Sequence, residues 1–211
     1  MKTIDLSPVL KFRMGSGIGD GTVNGGIHGE QACLVAQAAI VDAVRHGRKI
    51  DEPTDELDCA CPLLRDMAIR LNISCWWKND EERAEVLRPL IPLLLDSKVG
   101  LQATKRRGLR YVDAYVRDIV PTIWEALGYK AEAAQLRAIK PIVDVESIEA
   151  AKEVCSKIDL AIDLDLAIDL ALTLTRAITR ALAIDLALTR DLRTKYIELF
   201  TELAAIKDDS L

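Results

Sequence analysis

The chain has 211 residues; half are hydrophobic but only 4% are aromatic, and 29% charged residues leave a net charge of −5. That length holds one full core, or one compact domain with an appendage, and the core must be built from Leu, Ile, Ala and Val. The acidic balance excludes a global field for duplex DNA, and an odd five cysteines point to thiols or metal ligands rather than a disulfide framework.

The start, MKTIDLSPVLKFRMGSG, has no uninterrupted apolar run because Lys11 and Arg13 break it. No export signal is read there, no stretch reaches a membrane span, and a cytoplasmic protein is expected. Residues 1–29 read as a flexible, Gly-rich lead-in, with an edge strand expected over Ile4–Leu10. The tract GSGIGDGTVNGGIHG has no GKS or GKT ending and does not close a GxGxxG spacing. It reads as a surface connector or, lying just before a helix, as a donor of backbone N–H groups to an anion.

The spacing then predicts a helix over Glu30–His46, stopped by Gly47, and a second from Asp58 to Asn72 with Pro62 in its first turn. Asn79 and Glu82 match a capping box for a third helix. Pro89 and Pro92 predict that RPLIPLLLDSK is kinked or restarted. A fourth helix is expected over Lys105–Leu127, bent by Pro121 and ended by Gly128, and a short one over Lys130–Ile139. Pro141 marks a boundary, after which Asp144 or Ser147 can cap the last helical region. From Ile142 to Leu211 there is no Gly and no Pro.

That last region contains DLAIDL twice in tandem, at 159–164 and 165–170. From Ile158 to Leu174 every even position is Ile or Leu, which is strand periodicity. The length of the run, its Ala, Leu and Arg content and its lack of turn residues argue instead for helix. Such a helix spreads apolar side chains around its whole circumference and needs cover. A homo-oligomer through 158–192 is the natural expectation, with Arg176, Arg180 and Arg190 opposing the Asp residues to set register. The expected fold is mainly α: a helical bundle with a long, low-complexity C-terminal helix or helical hairpin. The expected divisions are a lead-in (1–29), a helical N-terminal domain (30–141) and a repetitive helical region (142–211).

Three constellations carry possible chemistry. His28, Cys33, Cys59 and Cys61 offer imidazole and thiolate, the right donors for zinc, or are a loop histidine with small buried hydrophobes. Arg106, Arg107 and Arg110 interleave with Tyr111 and Tyr115. On a helix Arg106 and Arg110 share one face and Arg107, Tyr111 and Tyr115 another, which suits a small anionic ligand such as a nucleotide, or a short nucleic acid. The same pattern also describes a solvated basic helix start with tyrosines in the core. Trp76 and Trp77 are adjacent, so they cannot both face one core, and one of them can line a ligand groove. Two histidines and no nucleophile elbow give no Ser/His/Asp triad, so no catalytic residue is assigned.

The pattern His28-x-Glu30 followed by Cys59-x-Cys61-Pro62 resembles zinc-dependent nucleoside and nucleobase deaminases. That resemblance implies His and Cys ligands on zinc and a proton-shuttling Glu. More broadly, HGEQACLVAQAAIVDAV, DCACPLLRDMAIRLN and EVLRPLIPLLLDSK, followed by a biased tail, resemble uncharacterised phage- and prophage-borne bacterial proteins. These have a Cys-containing helical N-terminal region and a repetitive Ala-rich C-terminal helix. The resemblance implies an accessory role in the bacterial host cell. The leading expectation is a non-enzymatic protein that sequesters an anionic signalling nucleotide to counter host defence. A deaminase-like enzyme and a purely structural self-assembling protein are the alternatives.

Overall fold

The computed structural model describes residues 4–10, 13–14, 27–28, 31–48, 57–73, 77–157 and 186–208. The expectations that fall on the Gly-rich tract, on Trp76 and on the DLAIDL repeat lie outside them. The fold is mainly α, a helical bundle with a long C-terminal helix. The chain forms two compact units, Met1–Val99 and Gly100–Leu211.

The first unit is built on α1 (Leu34–Arg45), in which Leu34, Val35, Ala36, Ala38, Ile40 and Val41 are all buried. Three two-residue strands lead into it: β1 (Arg13–Met14), β2 (Ile27–His28) and β3 (Gln31–Ala32). β3 is central, parallel to β1 and antiparallel to β2, with His28 opposite Gln31 and Met14 opposite Ala32. This pairing is why α1 begins at Leu34 and not at the expected Glu30. Cys33 then caps the helix, its Sγ accepting from the Ala36 N–H at 3.3 Å. Gly47, at φ +62, supplies the left-handed residue that ends α1.

In place of the edge strand expected over Ile4–Leu10, a 3-10 turn forms at Ser7–Val9. Pro8 lacks the N–H that a ladder needs, and the Asp5 carboxylate accepts from both the backbone N–H and the hydroxyl of Ser7 at 2.9 Å. This turn, α2 (Pro62–Ile73) and α4 (Ile91–Leu94) pack on α1. Ahead of α4 come α3 (Asp80–Leu87) and a 3-10 turn at Arg88–Leu90. Pro89 and Pro92 each sit in the first turn of the piece they open, so the expected restart at both prolines is what forms.

The second unit holds the expected helix as three contiguous pieces: α5 (Leu101–Ala114), a π-helical turn at Tyr115–Ile119 and α6 (Val120–Ala126). Pro121 explains the turn: it brings no N–H, and its ring clashes with the carbonyl four residues back. The backbone widens, and the Val120 N–H reaches Tyr115 O instead. Gly128, at φ +95, closes the segment as expected. α7 (Lys130–Arg137) packs on α6 and α8 (Val145–Lys157), and α9 (Leu186–Ala205) packs on α5 and the π turn. Tyr115, Ile123, Leu136, Tyr196, Phe200 and Leu203 contribute to the core. The expected division at 141 falls inside this unit, because the Ile142 N–H donates to the Asp113 carboxylate on α5 at 2.9 Å. No described helix is long and apolar enough to cross a membrane.

Candidate functional site

The Arg/Tyr constellation lies on α5 and the start of the π turn, the elements on which α9 packs. Ala103, Arg107, Tyr111 and Ala114 form the buried stripe at helical spacing, so the Arg107 guanidinium is carried into the interior. Arg107 Nε and Nη2 both donate to Ile206 O, at 3.1 and 2.6 Å. Arg106 Nη2 donates to Lys207 O at 2.6 Å. Arg110 makes a bidentate pair with Glu202, at 2.6 and 2.9 Å, and that carboxylate raises the already high pKa of the guanidinium. Asp208 completes the set: its carboxylate accepts from Gly100 N at 2.6 Å, at the amino end of α5.

The two helix ends therefore cap each other. The free carbonyls past the end of α9 take guanidinium donors from α5, while the free N–H at the start of α5 takes a carboxylate from beyond α9. Tyr111 and Tyr115 lie ring to ring at 5.7 Å and are buried, and the Tyr111 hydroxyl lies 3.3 Å from that of Tyr196. They belong to the core between the helices. Trp77 is in the first unit, where its Nε1–H donates to Leu71 O at 2.8 Å.

Of the zinc set read from sequence, Cys33 and Cys61 take structural roles. His28 lies in β2, Cys33 caps α1, and Cys61 is buried with its N–H on the Ser97 hydroxyl at 2.9 Å. The four described cysteines are free thiols. Among the described residues, the metal-ligating atoms that meet within 4.8 Å of one another belong to Asp42, Cys59 and Asp96. Of the expected ligands whose side chains are described, Cys33, Cys59 and Cys61, Cys59 is the one in this group.

Each member comes from a different segment. Asp42 stands on the buried stripe of α1, Cys59 lies in the turn before α2, and Asp96 lies just past α4 at φ +56. The last two segments are stitched together by Lys98 N on Cys59 O, and by Ser97 Oγ accepting from Cys61 N, both at 2.9 Å. Cys59 Sγ lies 3.7 Å from Asp42 Oδ1, and His46 Nδ1 lies 3.3 Å from the same oxygen. Arg48 pairs with Asp42, and Arg45 with Asp96 at 2.8 Å. Burial pushes the Cys59 thiol above its ordinary pKa; the Asp96 backbone N–H opposes this, and the carboxylates of Asp42 and Asp96 add to the rise.

Sequence reasoning missed Asp42, Asp96, Glu202 and Asp208. Asp42 left a signal, a lone carboxylate inside the apolar run IVDAV; the others are ordinary surface acids until the fold places them. Compared with protein-family models, with curated proteins and with solved structures, the chain finds no match in any of the three.

Proposed function

We propose that this chain is a non-enzymatic accessory protein of phage or prophage origin that works by binding an anionic partner along α5. The observation that supports this reading is that Arg106, Arg107 and Arg110 all aim their donors at oxygen acceptors from one short segment, Glu202–Asp208. Phosphate oxygens are acceptors of the same kind, and a guanidinium fork matches them in the same bidentate way. An anionic nucleotide engages this strip through its phosphates by displacing the Glu202 carboxylate from Arg110, Asp208 from Gly100 N and the terminal carbonyls from Arg106 and Arg107. With Tyr111 and Tyr115 buried, recognition rests on phosphate rather than on base stacking. The resemblance to phage-borne proteins gives the role, namely sequestering a defence signal.

Equilibrium dialysis of the full chain against a panel of radiolabelled cyclic and linear nucleotides tests the reading. The wild type should retain one of them. Replacing Arg106 and Arg110 by Ala should weaken retention about 10-fold or more. Asp208→Asn, which takes the competing charge from the site, should tighten it. Wild-type protein that retains no member of the panel at millimolar concentration removes the proposal.

A further inference from the structure

We propose that Asp42, Cys59 and Asp96 form a binding site for a zinc-class divalent transition metal in the first unit. This inference does not rest on the anion-binding reading, which concerns the second unit.

Geometry carries it furthest. Zinc bonds of about 2.0–2.3 Å in a tetrahedron place neighbouring donor atoms about 3.3–3.7 Å apart. One such edge is already formed: Cys59 Sγ to Asp42 Oδ1 at 3.7 Å. The Asp96 carboxylate lies within 4.8 Å of both the Cys59 and the Asp42 ligand atoms. The donor set of one thiol and two carboxylates mixes soft and hard ligands, which suits zinc or cobalt rather than calcium or magnesium.

The supporting structure is fixed where it needs to be and loose where it needs to give. Asp42 is on a helix and its side chain is only 8% exposed, while hydrogen bonds tie the Cys59 and Asp96 segments to each other. The carboxylates are neutralised by Arg45 and Arg48, whose side chains are 34% and 59% exposed and can turn into water. A dication takes over that neutralisation. On binding, Cys59 gives its thiol proton to solvent, the sulfur–metal bond forms, and the two guanidinium contacts are released.

The test uses the full chain, stripped with a chelator and titrated with cobalt. The expected result is about one cobalt per chain, a sulfur-to-cobalt charge-transfer band in the near ultraviolet, about one proton released per ion, and displacement by zinc. Cys59→Ser should abolish the band. Asp96→Asn, at an exposed position that folding tolerates, should weaken cobalt binding about 10-fold or more. Cys33→Ser should leave both band and affinity as they are. The proposal is overturned by the lack of a band at saturating cobalt, by a band that survives Cys59→Ser, by unchanged affinity in a folded Asp96→Asn variant, or by a band that vanishes with Cys33→Ser.

Discussion

Arg107 is the side chain on which the second unit turns. A guanidinium with no exposed surface is tolerable only when its donors are used, and two of them converge on Ile206 O. Truncation removes the donors and leaves that carbonyl without them, so Arg107→Ala should cost about 3 kcal/mol in urea unfolding. Lys cannot supply two donors from one planar fork, and Arg107→Lys should recover less than half of the loss. If the Ala variant unfolds within error of wild type, the reciprocal capping of α5 and α9 contributes nothing measurable. Asn79 is the contrasting case. Its side chain accepts from Glu82 N at 2.8 Å, and the Glu82 carboxylate accepts from Lys78 N at 2.8 Å. Asn79→Ala should cost about 1 kcal/mol, and the same urea experiment measures it. The Asn79 cap was legible because its partners lie within four residues. The Arg107 clamp was not, since its acceptor lies 99 residues further on and the pattern KRRGLRY reads equally as a solvated helix start.

At the scale of elements, starts and stops were the legible part, because they are decided locally. Gly47 and Gly128 end helices, and Pro62, Pro89 and Pro92 stand in first turns. What local pattern could not give was the three-strand pairing before α1, which joins residues 13–14 to 31–32 across the Gly-rich tract. Nor did it give the form of the bend at Pro121, where a π turn replaces a kink. The start of α8 offers a pH test. The Asp144 carboxylate accepts from Ser147 N and Ser147 Oγ at 2.8 Å, and these bonds hold its pKa below the ordinary 3.8. For a depressed carboxylate the stabilisation is complete above the unfolded-state value and disappears as pH falls through the folded value. Asp144→Ala should therefore melt below wild type at neutral pH, and the gap should close as pH falls below 3.8. A gap that stays constant over that range would show that ionised Asp144 does not hold the cap.

At the scale of the molecule, the division at Val99–Gly100 was hidden for the same reason as the Arg107 clamp. Pro141 looks like a boundary in the sequence, but Asp113 takes the Ile142 N–H along with Arg110 and Arg117, which ties the segment beyond Pro141 back to α5. Residues 158–185, with both DLAIDL hexads, thus connect α8 to α9, two helices of one unit. Their Leu and Ile content, at every even position from Ile158 to Leu174, exceeds what one helical stripe needs, and a second copy is the cover that a symmetric interface provides most simply. We expect light scattering to give a multiple of the 23.3 kDa chain mass. Replacing Leu164, Leu166 and Leu170 by Lys should return it to 23.3 kDa. The clamp residues lie outside the repeat, so the circular dichroism of that variant should keep the signal of the described helices. Association driven by apolar burial should also persist at high salt, whereas register set by Arg176, Arg180 and Arg190 against the Asp residues should loosen there. A wild-type chain that scatters as a monomer at 23.3 kDa removes the oligomer and requires the repeat to find its cover within its own chain.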